Sequence, residues 1–109
     1  MQKKLYRGAL STIILSLLKE EGEMYGYEIV QQVKKRTKGE FSITEGALYP
    51  ALHKLEGQGA ISVDYRQHNN RTRKYYRLTE TGAQEEAQLQ AELLSFVRNM
   101  ELLLHLKKA

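Results

Sequence analysis

Residues 44–56, Thr-Glu-Gly-Ala-Leu-Tyr-Pro-Ala-Leu-His-Lys-Leu-Glu, limit what this chain can fold into more than any other stretch. Leu48, Leu52 and Leu55 recur at helical spacing and share one face. Thr44, Ala47, Tyr49, Pro50, His53 and Lys54 then fall on the outer half, which is small at its start and basic further on. Two helix starts fit the residues. Thr44 serves as a plain N-cap, or Ser42 with Glu45 makes a capping box. Pro50 lies inside the pattern, where its ring meets the carbonyl of Gly46 and its missing N–H deletes one bond. Because the leucines continue in phase beyond it, a bend or a tight first turn is expected rather than a break. Gly57 and Gly59 close the helix.

The next segment changes period. Ile61, Val63 and Tyr65 alternate with Ser62, Asp64 and Arg66, as in a half-buried strand. Gln67 to Arg71 is turn chemistry, because Asn69 and Asn70 tolerate left-handed backbone angles. Tyr76 and Leu78 complete a returning strand, and alternation assigns Tyr76 rather than Tyr75 to the core. A short amphipathic helix followed by a basic hairpin is the pattern of a winged helix-turn-helix. In that fold the helix enters a DNA major groove and the hairpin, or wing, grips the backbone beside it.

The remaining segments read as helices. Leu10, Ile13, Ile14, Leu17 and Leu18 predict a first helix over Leu5–Glu20, ended by Gly22. Tyr25-Gly26-Tyr27 opens a second helix through Arg36, with Gly39 beyond it. Thr81-Gly82 leads into a long last helix reaching about Leu106. The expected fold is therefore mainly α, an α+β winged helix-turn-helix. It has a three-helix DNA-binding core, a two-stranded wing and a long C-terminal dimerisation helix. Residues 1–82 form the winged unit and 83–109 the dimerisation helix.

Charge is distributed unevenly along the 109 residues, whose formal net charge is +4. Residues 64–77 hold Arg66, Arg71, Arg73, Lys74 and Arg77 against Asp64 alone, whereas residues 78–101 hold five glutamates against Arg98. A polyanion suits the hairpin and not the last helix. Arg71, Arg73 and Lys74 are the wing candidates for phosphate or the minor groove, against a reading as solvated charges. Lys3, Lys4 and Arg7 are candidates for backbone contacts, against a reading as a solvated terminus, and Lys34, Lys35, Arg36 and Lys38 are assigned to a solvated helix end. Tyr49 is either a donor to DNA or an aromatic anchor between helix and wing. The Ala47 methyl suits a thymine methyl.

Other classes of function find no support. With no cysteine there is no disulfide framework or thiolate zinc site. His53, His68 and His105 lie on separate elements without metal-ligand spacing. No nucleophile elbow, phosphate-binding loop or carboxylate pair suggests an enzyme, and no cofactor is implied. No apolar run approaches the roughly 18 residues of a membrane span. The basic N-terminus lacks a cleavage-site pattern, so a cytoplasmic location is expected.

Three ordered blocks, Tyr25-Gly26-Tyr27-Glu28-Ile29, Glu45 to Leu52 and Arg73 to Gly82, together resemble the PadR-type transcriptional regulators. The resemblance covers about residues 5–82. It implies that the helix over 44–56 is the recognition helix, that Thr44, Tyr49 and Pro50 match its pattern, and that Tyr25 contacts DNA backbone while Tyr27 packs. It also implies a repressor acting on operator DNA. Ala47 stands where many relatives carry threonine, so no hydroxyl contact is implied there. Relatives of the short form include sensors of flat aromatic compounds that rely on tryptophan. This chain has none, so an effector, if one binds, must use Phe96, Met100 or nearby aliphatics.

Leu89, Leu93, Phe96, Met100 and Leu103 step by four and three along the last helix, and Leu94, Val97 and Leu104 widen the stripe. A 3.5-residue period suits packing along a second helix, giving a homodimer; the alternative is that the helix covers its own domain. A winged module acting only as a protein-interaction adaptor is the competing function. Salt-dependent duplex binding separates the two.

Overall fold

The computed structural model describes residues 8–106. The elements in order are α1 (Leu10–Glu21), β1 (Glu23–Tyr25), α2 (Gly26–Arg36), α3 (Glu45–Gly57), β2 (Ile61–His68), β3 (Arg71–Leu78) and α4 (Glu80–Leu104). Helix α1 begins later than the apolar spacing predicts, with Gly8 and Ala9 in a turn before it, and Leu5 lies outside the described residues.

Thr44 settles the two possible starts of α3. Its Oγ1 accepts from the Ala47 N–H at 3.1 Å, while its carbonyl accepts from the N–H groups of Ala47 and Leu48. Ser42 stays outside the helix. The double acceptance at Thr44 is a tight first turn, and α3 runs unbroken through Pro50. The connection from α2 to α3 is held at Thr37, whose hydroxyl donates to the Val33 carbonyl at 2.9 Å and accepts from the Phe41 N–H at 3.0 Å.

The sheet has three antiparallel strands in the order β1-β3-β2. Asn69 and Asn70 both take positive φ, 50° and 64°, as a two-residue hairpin between His68 and Arg71 requires. Strand β1 is not legible as a strand in the sequence. Glu23, Met24 and Tyr25 pair with Arg77, Tyr76 and Tyr75, so Tyr25 is a strand residue and α2 begins one residue later.

The core gathers Ile14, Leu15, Leu17 and Leu18 of α1, Ile29 and Val33 of α2, and Leu48, Leu52 and Leu55 of α3. Met24, Ile61 and Tyr76 of the sheet close it, with Phe41 and Ile43 from the connection. Tyr76 is buried as alternation predicts, and burial, then the neighbouring Tyr49 hydroxyl, push its phenol above the ordinary value.

Helix α4 is continuous across residue 82, and its first turns pack into the winged module. Leu89, read from the sequence as interface, lies half-buried against this core, because the module draws in the start of the helix. Glu86 is 1% exposed, and the Lys19 Nζ stands 3.3 Å from its Oε1. Among the described residues neither carboxylate oxygen accepts a hydrogen bond. A buried polar group so left costs on the order of 1–3 kcal/mol, and Lys19, whose side chain is 57% exposed, can turn to water when the carboxylate is removed, so no charge is stranded. Glu86→Met should therefore raise the urea midpoint, by about 1–2 kcal/mol of stability; a lower midpoint would mean that the Lys19 pair outweighs the burial cost.

Candidate nucleic-acid interface

With Leu48, Leu52 and Leu55 each at 1% exposure or less, α3 cannot rotate about its axis. Thr44, Ala47, Pro50, His53 and Lys54 consequently stand on its exposed side, as does Glu45, which one of the two possible helix starts places in a capping box. The Thr44 hydroxyl accepts in the cap and keeps its proton for donation. Tyr49 is 43% exposed, and the end of its ring lies against Gly26, at the start of α2. A Cβ at Gly26 would overlap the Tyr49 hydroxyl and stand 2.8 Å from Cζ, so any larger residue there would make the tyrosine ring shift. Burial, then the Glu45 charge, push the Tyr49 phenol above its ordinary value.

The outer face of the sheet is a layered network. The Arg66 guanidinium donates to both oxygens of Glu23, at 2.6 and 2.8 Å, and to Asp64 at 3.0 Å, while lying 4.5 Å over the Tyr75 ring. Tyr75 meets Tyr25 edge-on at 5.5 Å between centroids. Arg73 covers the other ring, 4.3 Å from the Tyr25 centroid. Arg77 adds a further contact to Glu23 at 3.3 Å. The pairing of β1 with β3 puts these groups on one face, since Glu23 and Tyr25 oppose Arg77 and Tyr75.

This network separates the wing cations. Arg73 is committed to Tyr25, and the Lys74 Nζ lies 5.7 Å from the Tyr65 ring centroid. Arg71, at the exposed tip, has no ion-pair or ring partner among the described residues. The two tyrosines of the Tyr25-Gly26-Tyr27 block differ in their surroundings. Tyr25, taken as the backbone contact, is covered by Arg73, whereas Tyr27, assigned to packing, is 53% exposed. The missed strand causes this, because it turns Tyr25 onto the sheet face. Lys34, Lys35, Arg36 and Lys38 are exposed, with Arg36 paired to Glu20 at 2.7 Å and to Glu21 at 3.3 Å. Lys3, Lys4 and Arg7 lie outside the described residues.

Beyond Leu89, α4 presents apolar side chains to solvent. Leu93, Phe96, Val97, Leu103 and Leu104 are exposed, Phe96 at 58%, as are Leu94 and Leu102, while Met100 is half-buried. Among the described residues no group of three or more His, Cys, Asp or Glu could hold a metal ion, and no helix is long and apolar enough to cross a membrane.

The Glu23 carboxyl is held below its ordinary value of 4.5, first by the hydrogen bond from Arg66. A depressed carboxyl pKa contributes stability above the unfolded-state value and loses it as pH falls through the folded-state value. Thermal melts of Glu23→Gln should thus lie below the parent at neutral pH, with the gap closing as pH falls below about 4.5. A gap independent of pH would exclude the charged pair as its source.

The profile of the "Transcriptional regulator PadR-like family" matches residues 14–88. A PadR family transcriptional regulator from Eggerthella lenta superposes with a TM-score of 0.82 at 29% identity, over 95% of this chain and 88% of that one. Bacillus subtilis PadR in complex with operator DNA superposes with a TM-score of 0.66 at 34% identity, over 72% of this chain and 45% of that one. The Escherichia coli transcriptional regulator YqjI is 32% identical over 89 residues, 80% of this chain and 41% of its own length. The chain therefore spans less than half the length of the last two relatives. The shared fold and the profile over most of its length agree: this chain belongs to the PadR-like family of transcriptional regulators.

Proposed function

We propose that this chain is a cytoplasmic, sequence-specific DNA-binding repressor that acts as a homodimer on an inverted-repeat operator. The observation that carries the reading is the outward face of α3, immobilised by its buried leucines and leading into a hairpin whose tip offers an unpaired arginine. A relative of the same fold has been seen on operator DNA.

In this reading residues 1–82 bind DNA and 83–109 join the protomers. Thr44 and His53 offer hydrogen-bonding groups to base edges, and the Ala47 methyl suits a thymine methyl in the major groove. Pro50 presents a small apolar surface beside them. Lys54, Lys74 and above all Arg71 neutralise phosphates, which positions the protein without reading sequence. Tyr49 keeps part of its ring exposed for a backbone contact while its hydroxyl end rests on Gly26. Lys3 and Lys4 extend the backbone contacts, and Tyr27 takes over from Tyr25 the role first assigned to that residue. The stripe through Leu93, Phe96, Val97, Met100, Leu103 and Leu104 forms the seam between protomers, since an apolar face of this length is unusual on a monomer. An effector, where one acts, would lie at that seam against Phe96 and Met100.

Selection of bound duplexes from a random pool tests the whole reading. Inverted half-sites about one helical turn apart are expected; recovery of one asymmetric half-site bound by a monomer would sink it. Arg71→Ala should weaken binding to every duplex, and, with two wings per dimer, lower the slope of log affinity against log salt by about two units. If the slope stays at the parent value, the wing tip does not touch phosphate. Replacing Phe96 and Met100 together by Ser removes apolar burial worth on the order of 1.5–3 kcal/mol per side chain, twice over by symmetry. Sedimentation should show the dimer weakened at least about a thousandfold with the winged module still folded. A persisting dimer would move the interface elsewhere.

A further inference from the structure

Every polar group of Thr79 is engaged at the point where the wing ends and α4 begins. Its hydroxyl donates to the Gly59 carbonyl at 2.6 Å, and the same oxygen accepts from the Gly82 N–H at 3.0 Å. Its N–H donates to the Ala60 carbonyl at 3.1 Å, and its own carbonyl accepts from the Ala83 N–H at 2.9 Å. Gly59 and Ala60 are in turn tied to the end of α3, through Gly59 N–H to Glu56 and Ala60 N–H to Leu55. Gly82 closes the joint. It is buried, and a Cβ there would overlap the Ala60 carbonyl oxygen and stand 2.8 Å from its carbon. That obstacle is backbone, so no side-chain rotation relieves it. One residue pair thus links the end of the recognition helix to the start of the helix that carries the apolar stripe, with no free linker between them.

We infer that Thr79 and Gly82, clamped on the Gly59–Ala60 backbone, are positioning residues that set the spacing of half-sites the dimer accepts. The inference rests on the operator-binding dimer proposed above. From Gly82 to Phe96 the helix rises about 21 Å at about 1.5 Å per residue. A tilt of about 10° at the joint displaces the seam by about 3.5 Å, close to the roughly 3.4 Å between successive bases of one strand. Two-fold symmetry doubles the displacement between the recognition helices. A loose joint would tolerate several spacings; a clamped one selects a single spacing.

The test places the selected half-sites on duplexes whose separation varies in steps of one base pair. It compares the full chain with its Thr79→Val, Thr79→Ser and Gly82→Ala variants. Sedimentation confirms the dimer, and affinity for an isolated half-site is measured alongside. The parent should bind one spacing at least about tenfold tighter than its neighbours, the order of one lost contact of about 1.4 kcal/mol. Thr79→Val, near-isosteric but without the hydroxyl, should flatten or shift that peak while half-site sequence and isolated half-site affinity stay unchanged. Gly82→Ala should do so more strongly, and Thr79→Ser should retain the parent profile. A dimeric Thr79→Val protein with the parent spacing profile would overturn the joint, whatever its absolute affinity. A parent that binds paired half-sites with no spacing preference would instead overturn the two-half-site reading itself, and the joint with it.

Discussion

The contact on which the rest depends is the burial of Leu48, Leu52 and Leu55 against α1, α2 and the sheet. Each contributes on the order of 1.5–3 kcal/mol by leaving water. Their shared face also removes the rotational freedom of α3. Once those three side chains point inward, Thr44, Ala47, Pro50, His53 and Lys54 have only solvent to face. A recognition surface made of small and polar residues would not hold a helix in place by itself. Its orientation comes from the opposite side of the same helix.

The wing shows a different economy of charge. Five cations lie in residues 64–77, and several are consumed by the fold. Arg66 is held by Glu23 and Asp64, and Arg73 by the Tyr25 face. A guanidinium that lies over a ring and is paired to a carboxylate braces the hairpin against β1, and so fixes where the unpaired Arg71 is carried. The net charge of a basic hairpin therefore overstates what it offers a polyanion.

Helix α4 serves two environments in turn. Gly82, Glu86 and Leu89 belong to the winged module, while from Leu93 onward the apolar side chains face water. The change occurs without a break in the helix, so rigidity passes from one part to the other through hydrogen bonds at Thr79 and backbone contact at Gly82.

Much of this was legible in one dimension. Helical spacing placed α1, α2, α3 and α4, alternation placed β2 and put Tyr76 of the returning strand in the core, and the Asn69-Asn70 pair placed the hairpin turn. These signals are local, since each depends on residues within a turn or two of one another. What the sequence left open depended on partners distant along the chain. Three residues are too few to show a period, so β1 emerged only through its pairing with β3, and with it the cover over Tyr25 and the exposure of Tyr27. Phe41 and Ile43 sit in an irregular connection where no periodicity marks them as core. The sequence by itself determined the helices, the hairpin and the outward face of α3, because those follow from spacing and local backbone chemistry. Only the tertiary structure decided which cations are spoken for, why Gly82 has no side chain, and how α4 is fastened to α3. Those depend on close approach between segments that the linear order keeps apart.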